Sequence, residues 1–174
     1  MKLFPLYLLP PASYFSKLKR EKEIVLFDDE IYRKQSLRNH FEILHSQGRL
    51  KITFPVSKPW RDKKIRDIKI DNNQSFLDNH WKSIKTAYGK APFFLDYGYL
   101  FERQLTEIPV SLFELNYGLL KLCLKLIQIR TEIKLSSELS VDERNSHGYI
   151  SQIEESKHWD KSLCNSKDVL SYPQ

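Results

Sequence analysis

Apolar residues cluster early in the chain, alternate with polar ones in its middle, and then recur at three- and four-residue spacing. Leu3 to Leu9 and Ile24 to Phe27 are apolar at nearly every position, the pattern of strands buried on both faces. Pro5 keeps the first of these at a sheet edge or at its first residue. Pro10-Pro11 ends that run, and Pro11 suits the first turn of a helix reaching about Lys19. Strand, short helix and strand in succession predict a small parallel unit. Leu50 to Phe54 alternates apolar and polar residues, and Ile68 and Ile70 repeat that spacing, so half-buried strands are expected at 50–56 and 65–70. Residues 37–44 can pair with the Leu50 strand through a hairpin turn at Ser46-Gln47-Gly48.

Helices follow from Ser75 onward. Trp81, Ile84 and Tyr88 form one apolar stripe, which Gly89 ends. Pro92 opens a second helix carrying Phe93, Tyr97, Leu100, Phe101 and Leu105. A third begins at Ser111-Leu112-Phe113-Glu114, a capping box, with Val110 and Leu115 placed as a hydrophobic staple. Its one polar stripe is Glu114, Gly118, Lys121, Lys125 and Gln128, so it is buried on most sides. From Ser136 to Gln174 only 11 of 39 residues are apolar, too few for an independent core. The expected architecture is therefore a single α/β domain over residues 1–140: a central mixed sheet of about five strands, then three C-terminal helices. A polar, partly ordered tail over 141–174 completes it.

Composition narrows the chemistry. The chain has 174 residues, 41% hydrophobic and 29% charged, with a net charge of +6. Five glycines and no GxGxxG or P-loop pattern argue against dinucleotide binding and P-loop hydrolysis. Cys123 and Cys164 have no metal-type spacing, the five histidines form no HxxxH arrangement, and neither a metal nor a cofactor is expected. Basic residues gather at 17–22 and 58–69, but acids interrupt both clusters and neither matches a nucleic-acid motif. They read as a solvated face or as a binding surface for an anionic ligand, and nucleic acid is the weaker partner. The N-terminal apolar run is broken by Pro5 and lacks a small-residue cleavage site. No run of apolar residues is long enough to span a membrane, so a cytoplasmic location is expected.

The segment from Asp28 to Asn39 holds the densest set of reactive groups. Asp28 and Asp29 close a buried strand, where they either form a turn or face a ligand at the carboxyl end of a parallel sheet. An extended backbone would point Tyr32, Lys34 and Ser36 one way. Lys34 would then meet an anionic group, or else serve as an edge-strand charge against aggregation. Ser36 lacks a GxSxG elbow, so structural hydrogen bonding competes with any nucleophilic role. His80 is the strongest general-base candidate among the histidines, against the alternative of a half-buried imidazole satisfied by the backbone. The candidate set is His80, Asp28 and Asp29 for catalysis, with Tyr32, Lys34, Ser36, Arg38, Asn39 and Tyr88 for substrate binding.

Several of these stretches, taken in order, resemble the WbqC-like family. They are Leu9-Pro10-Pro11-Ala12-Ser13-Tyr14-Phe15; Asp28 and Asp29, then Tyr32, Lys34, Ser36 and Asn39; Pro55-Val56; His80 through Phe94; Leu115-Asn116; and Ser136-Ser137-Glu138. The matches run over roughly residues 5–140. Two departures stand: Pro5-Leu6-Tyr7 replaces a Gln-Pro-Asn of many relatives, and relatives continue past the region of Tyr172-Pro173-Gln174. The resemblance implies surface-polysaccharide biosynthesis and an acyl or aminoacyl transferase acting on sugar precursors. The implied partner is an anionic activated donor or sugar nucleotide. The alternative is a non-catalytic ligand-binding or scaffolding protein of the same pathway.

Overall fold

The computed structural model describes residues 2–71, 74–107 and 111–145. Ten elements form the scaffold: β1 (Lys2–Pro5), α1 (Ala12–Leu18), β2 (Glu23–Phe27), β3 (His40–His45), β4 (Gly48–Thr53), α2 (Gln74–Tyr88), α3 (Phe94–Thr106), α4 (Leu112–Leu126), β5 (Glu132–Leu135) and α5 (Val141–Asn145). The β1–α1–β2 unit is parallel, as the run–helix–run pattern predicts, with Leu3 opposite Val25 and Phe4 opposite Leu26.

The single five-stranded sheet is not observed. The described strands divide into a parallel sheet ordered β1-β2-β5 and a separate antiparallel hairpin, β3-β4. Helices α2 to α4 intervene in sequence and return the chain to the free edge of β2, where β5 pairs. The hairpin instead packs against α2. Its turn lies where the sequence places it, with His45 opposite Gly48, and Gly48 at φ 111° takes a backbone region closed to most side chains. Nor is 65–70 a strand: Ile65–Asp67 is a 3-10 turn, followed by isolated bridges Lys69–Ser111 and Val56–Ile70. Ile65 and Ile68 are both buried three residues apart, a spacing that fits one 3-10 turn rather than the two-residue repeat of a strand.

Two cores result, and α4 belongs to both. Phe4, Ile24 and Leu26 pack with Tyr14 and Leu18 of α1 and with Leu120 and Leu124 of α4. The hairpin residues Phe41, Ile43 and Ile52 pack with Trp81, Ile84, Leu105, and Leu112, Leu115 and Leu119 of α4. The opposite face of the parallel sheet is thin, built of Leu3, Val25 and Leu139 with Phe27 beside them. Ser111 and Glu114 form the reciprocal capping box at the start of α4, whereas Val110 of the expected staple lies outside the described residues, as does the tail beyond Asn145. No helix among the described residues is long and apolar enough to cross a membrane.

Since α4 carries apolar side chains into both cores, weakening its start should weaken the whole fold. Ser111→Ala is expected to lower unfolding free energy by about 0.5–2 kcal/mol through loss of the cap. The measurement is a urea titration followed by circular dichroism, and an unchanged midpoint would contradict it.

Candidate functional site at the carboxyl edge of the parallel sheet

Parallel pairing puts the carboxyl ends of β1, β2 and β5 on one edge, and there Asp28 and Asp29 meet the 3-10 turn at Ser136–Glu138. Asp28 is 1% exposed, yet its oxygens are fully occupied. The Ser136 hydroxyl reaches one oxygen at 2.8 Å, and the Ser137 N–H donates to that same oxygen at 2.9 Å. The Ser137 hydroxyl donates to the other at 2.7 Å. Ser136 also accepts from the Asp28 N–H at 3.2 Å and lies within hydrogen-bond reach of Asp29. One serine thus brackets two adjacent carboxylates. Burial alone would raise the Asp28 pKa, but the Ser137 and Ser136 bonds and the Arg66 charge outweigh it and hold the carboxyl below its ordinary range.

Three cations surround the pair at longer range. Arg66 approaches Asp28 at 3.7 Å, while Lys64 and Arg144 approach Asp29 at 3.8 and 3.7 Å. Their side chains stay 43%, 47% and 36% exposed, so each retains donors for something in solution. Backbone pairing puts two of them there: Ile65 N–H donates to Glu30 O, Tyr32 N–H donates to Lys63 O, and Ile31 bridges Lys64. Arg144, on α5, is oriented by donating to the carbonyls of Leu139 and Ser137.

The rest of the Asp28–Asn39 segment is not extended. Gln35 is left-handed at φ 57°, and the Ser36 hydroxyl donates to Arg33 O at 2.7 Å inside a turn. Tyr32, Lys34 and Ser36 therefore do not share a face: Tyr32 is buried, while Lys34 is exposed and sits 5.7 Å from the Trp60 ring centre. Trp60 in turn packs edge-on against Tyr32 at 6.2 Å. Burial pushes the Tyr32 phenol up to about 12, against the pull of Arg38.

Arg38 itself is wholly buried. It makes a two-pronged ion pair with Glu30 at 2.8 and 2.7 Å and lies over the Tyr7 ring at 5.3 Å. Its carbonyl accepts from Asn116 of α4 at 2.8 Å, and the neighbouring Asn39 amide donates to Phe54 O at 3.1 Å. Both Arg38 and Asn39 are thus engaged in holding elements together.

His80 stands on Phe54 with ring centres 5.2 Å apart, and burial holds its pKa below the usual imidazole range. It is therefore uncharged at neutral pH and chemically able to accept a proton. Tyr88, at the end of α2, accepts the Leu44 N–H of the hairpin at 3.1 Å. The predicted residues thus fall into separate neighbourhoods: Asp28 with Asp29, Tyr32 with Lys34 through Trp60, Asn39 with His80 through Phe54, and Tyr88 at the hairpin. Sequence reasoning missed the roles of Ser136, Ser137, Lys64, Arg66 and Arg144. The only available signals were the Ser136-Ser137 stretch and the 58–69 basic cluster, and neither points across the chain to Asp28. No group of three or more His, Cys, Asp or Glu side chains among the described residues is placed to hold a metal ion.

Two outcomes follow from this geometry. Asp28 has a folded-state pKa below its unfolded one, so its stabilisation is present above the unfolded value and lost as pH falls through the folded value. The wild type should lose stability in acid below about pH 4, and Asp28→Asn should flatten that slope in urea titrations across pH. Arg38→Met, which leaves Glu30 buried and uncompensated, should cost about 3–5 kcal/mol in the same assay. A loss below 1 kcal/mol would show the pair to be dispensable.

Comparison with known proteins agrees in one direction. A protein of Mycobacterium tuberculosis described as uncharacterized protein Rv1507c is 31% identical over 127 residues, covering 72% of this chain and 54% of that protein. The chain thus spans about half the length of that relative. No solved structure matches. The WbqC-like protein family matches residues 6–169, from the sheet through the carboxylate cluster and beyond. The chain belongs to the WbqC-like protein family.

Proposed function

We propose an acyl or aminoacyl transferase, of the glycine-transferring type, that acts on sugar precursors in surface-polysaccharide assembly. The anionic part of a substrate, either the activated acyl donor or the sugar nucleotide that accepts the group, binds at the carboxyl edge of the parallel sheet. The observation that carries this reading is the trio Lys64, Arg66 and Arg144. They gather at the edge where open α/β sheets bind ligands, each near a carboxylate but beyond close hydrogen-bond range, and each partly open to solvent. Asp28 and Asp29 orient the cations rather than contact the donor, because the Asp28 oxygens are already committed to Ser136 and Ser137. Lys34 beside Trp60 and His80 on Phe54 stand in neighbourhoods of their own; Lys34 is proposed to meet the same anionic ligand and His80 to move the proton.

A second reading, a non-catalytic ligand-binding or scaffolding protein of the same pathway, is favoured by one specific observation. Ser36 donates to a carbonyl in its own turn and Ser136 to two carboxylates, which are weak bases, so neither hydroxyl is bonded to an imidazole or amine that would activate a nucleophile.

Calorimetric titration with a panel of nucleoside-diphosphate sugars tests the site. Arg66→Gln and Lys34→Met should each weaken binding by more than tenfold, or ~1.4 kcal/mol. Lys34→Met should change folding stability by no more than about 0.5 kcal/mol. Wild-type protein that binds none of the panel removes this reading. With a turned-over donor in hand, His80→Gln should lower kcat more than it raises KM. Tight donor binding without turnover in the wild type selects the non-catalytic reading.

A further inference from the structure

The turn joining α2 to α3 carries apolar surface that the described residues leave exposed. Ala91, Pro92, Phe93 and Leu95 are all exposed, Phe93 to 69% and Leu95 to 91%. Tyr97 and Tyr99 follow at 46% and 61%. Single exposed apolar residues are ordinary, but a contiguous group marks an interaction surface. Phe93 holds a left-handed backbone at φ 63°, which is uncommon for a bulky side chain.

Two features identify the occupant. First, the apolar groups lie on both flanks of the α3 start. Phe93 and Tyr97 pack together at 6.4 Å beside a cleft of about 260 Å³ formed with Trp81, Ile84 and Tyr88. Leu95 and Tyr99, four residues apart, lie outside that cleft, so a small molecule seated in it would leave them uncovered. Only a surface that receives the whole tip covers both flanks. Second, residues 80–99 hold three lysines, Lys82, Lys85 and Lys90, against one acid, Asp96. All three lysines are exposed, on the last turns of α2 and in the turn itself. Aromatic and leucine side chains at a protruding tip, flanked by lysines, suit the boundary between head groups and acyl chains of an anionic membrane.

We infer that the α2–α3 tip is a peripheral membrane-docking site, inserting Phe93 and Leu95 at the interface of an anionic bilayer while Lys82, Lys85 and Lys90 lie against its head groups. This is attachment to one leaflet, not a span, and it does not depend on the donor site.

The full chain is tested by co-sedimentation with vesicles of phosphatidylglycerol and phosphatidylcholine in equal parts, and with phosphatidylcholine alone. Binding to the mixed vesicles should exceed binding to the neutral ones and weaken with salt. Lys85→Gln and Lys90→Gln should each lower partitioning about fivefold, and Leu95→Gln by a similar factor of roughly fivefold. Leu95 has almost no packing to lose, so its variant should melt like the wild type. Phe93→Asn keeps a residue tolerant of the left-handed backbone and supplies a second test of insertion. Wild-type protein that stays in the supernatant overturns the inference, as do variants that partition like the wild type. A lipid-free dimer dissolved by Leu95→Gln would overturn it too, by assigning the tip to a second copy of the chain.

Discussion

The rest of the molecule depends on the buried ion pair between Arg38 and Glu30. Glu30 follows β2, Tyr7 follows β1, Arg38 precedes β3, and Asn116 lies on α4; the Arg38 side chain and carbonyl touch all three of the others. Leu8 N–H adds a bond to Leu37 O at 2.9 Å. Parallel sheet, hairpin and long helix are therefore referred to one residue, the helix through its backbone carbonyl. Burying a charge is costly, and what makes it tolerable here is geometric completeness: two parallel hydrogen bonds and an aromatic face. A leucine in that place would pack but could not set direction, whereas the fork of Arg38 allows a narrow range of angles between the layers.

The same segment shows two opposite uses of charge a few residues apart. At Arg38 and Glu30 the groups are sealed from water and satisfy each other. At Asp28 the carboxylate is satisfied mainly by hydroxyls and an N–H, with Arg66 at longer range. Neutral donors stabilise the buried anion without consuming a positive charge. The edge of the sheet is thus anionic inside and cationic outside.

Local patterns carried much of the fold and little of the site. The glycine at 48 and the Ser111 capping box depend on neighbours in sequence and are realised, while the strand expected at 50–56 forms at Gly48–Thr53 with Ile52 buried and Leu50 exposed. Ile65, Ile68 and Ile70 misled because a burial pattern of three followed by two belongs to a turn entering a bridge. The Asp28–Asn39 segment misled more deeply. Arg38 and Asn39 read as ligand-facing groups, yet they and Glu30 are buried with partners inside the protein. Asn116 is 78 residues from Arg38, and Ser136 is 108 from Asp28. No window along the chain contains both halves of either contact, so periodicity cannot reveal them.

The late arrival of β5 bears on how this protein comes into being on the ribosome. β1, α1 and β2 are complete by residue 27, but β2 has no partner on its second edge until Glu132 is made. For most of synthesis a hydrophobic parallel strand presents unpaired N–H and C=O groups, a template for any other extended chain nearby. Nor can the Asp28 carboxylate be satisfied before Ser136 and Ser137 emerge. Completion of the sheet and satisfaction of Asp28 are thus one closing event that waits for residues 132–137. A ribosome-bound chain ending before β5 would hold two strands, a hairpin and helices, but neither the finished sheet nor Ser136, Ser137 and Arg144, which follow β5.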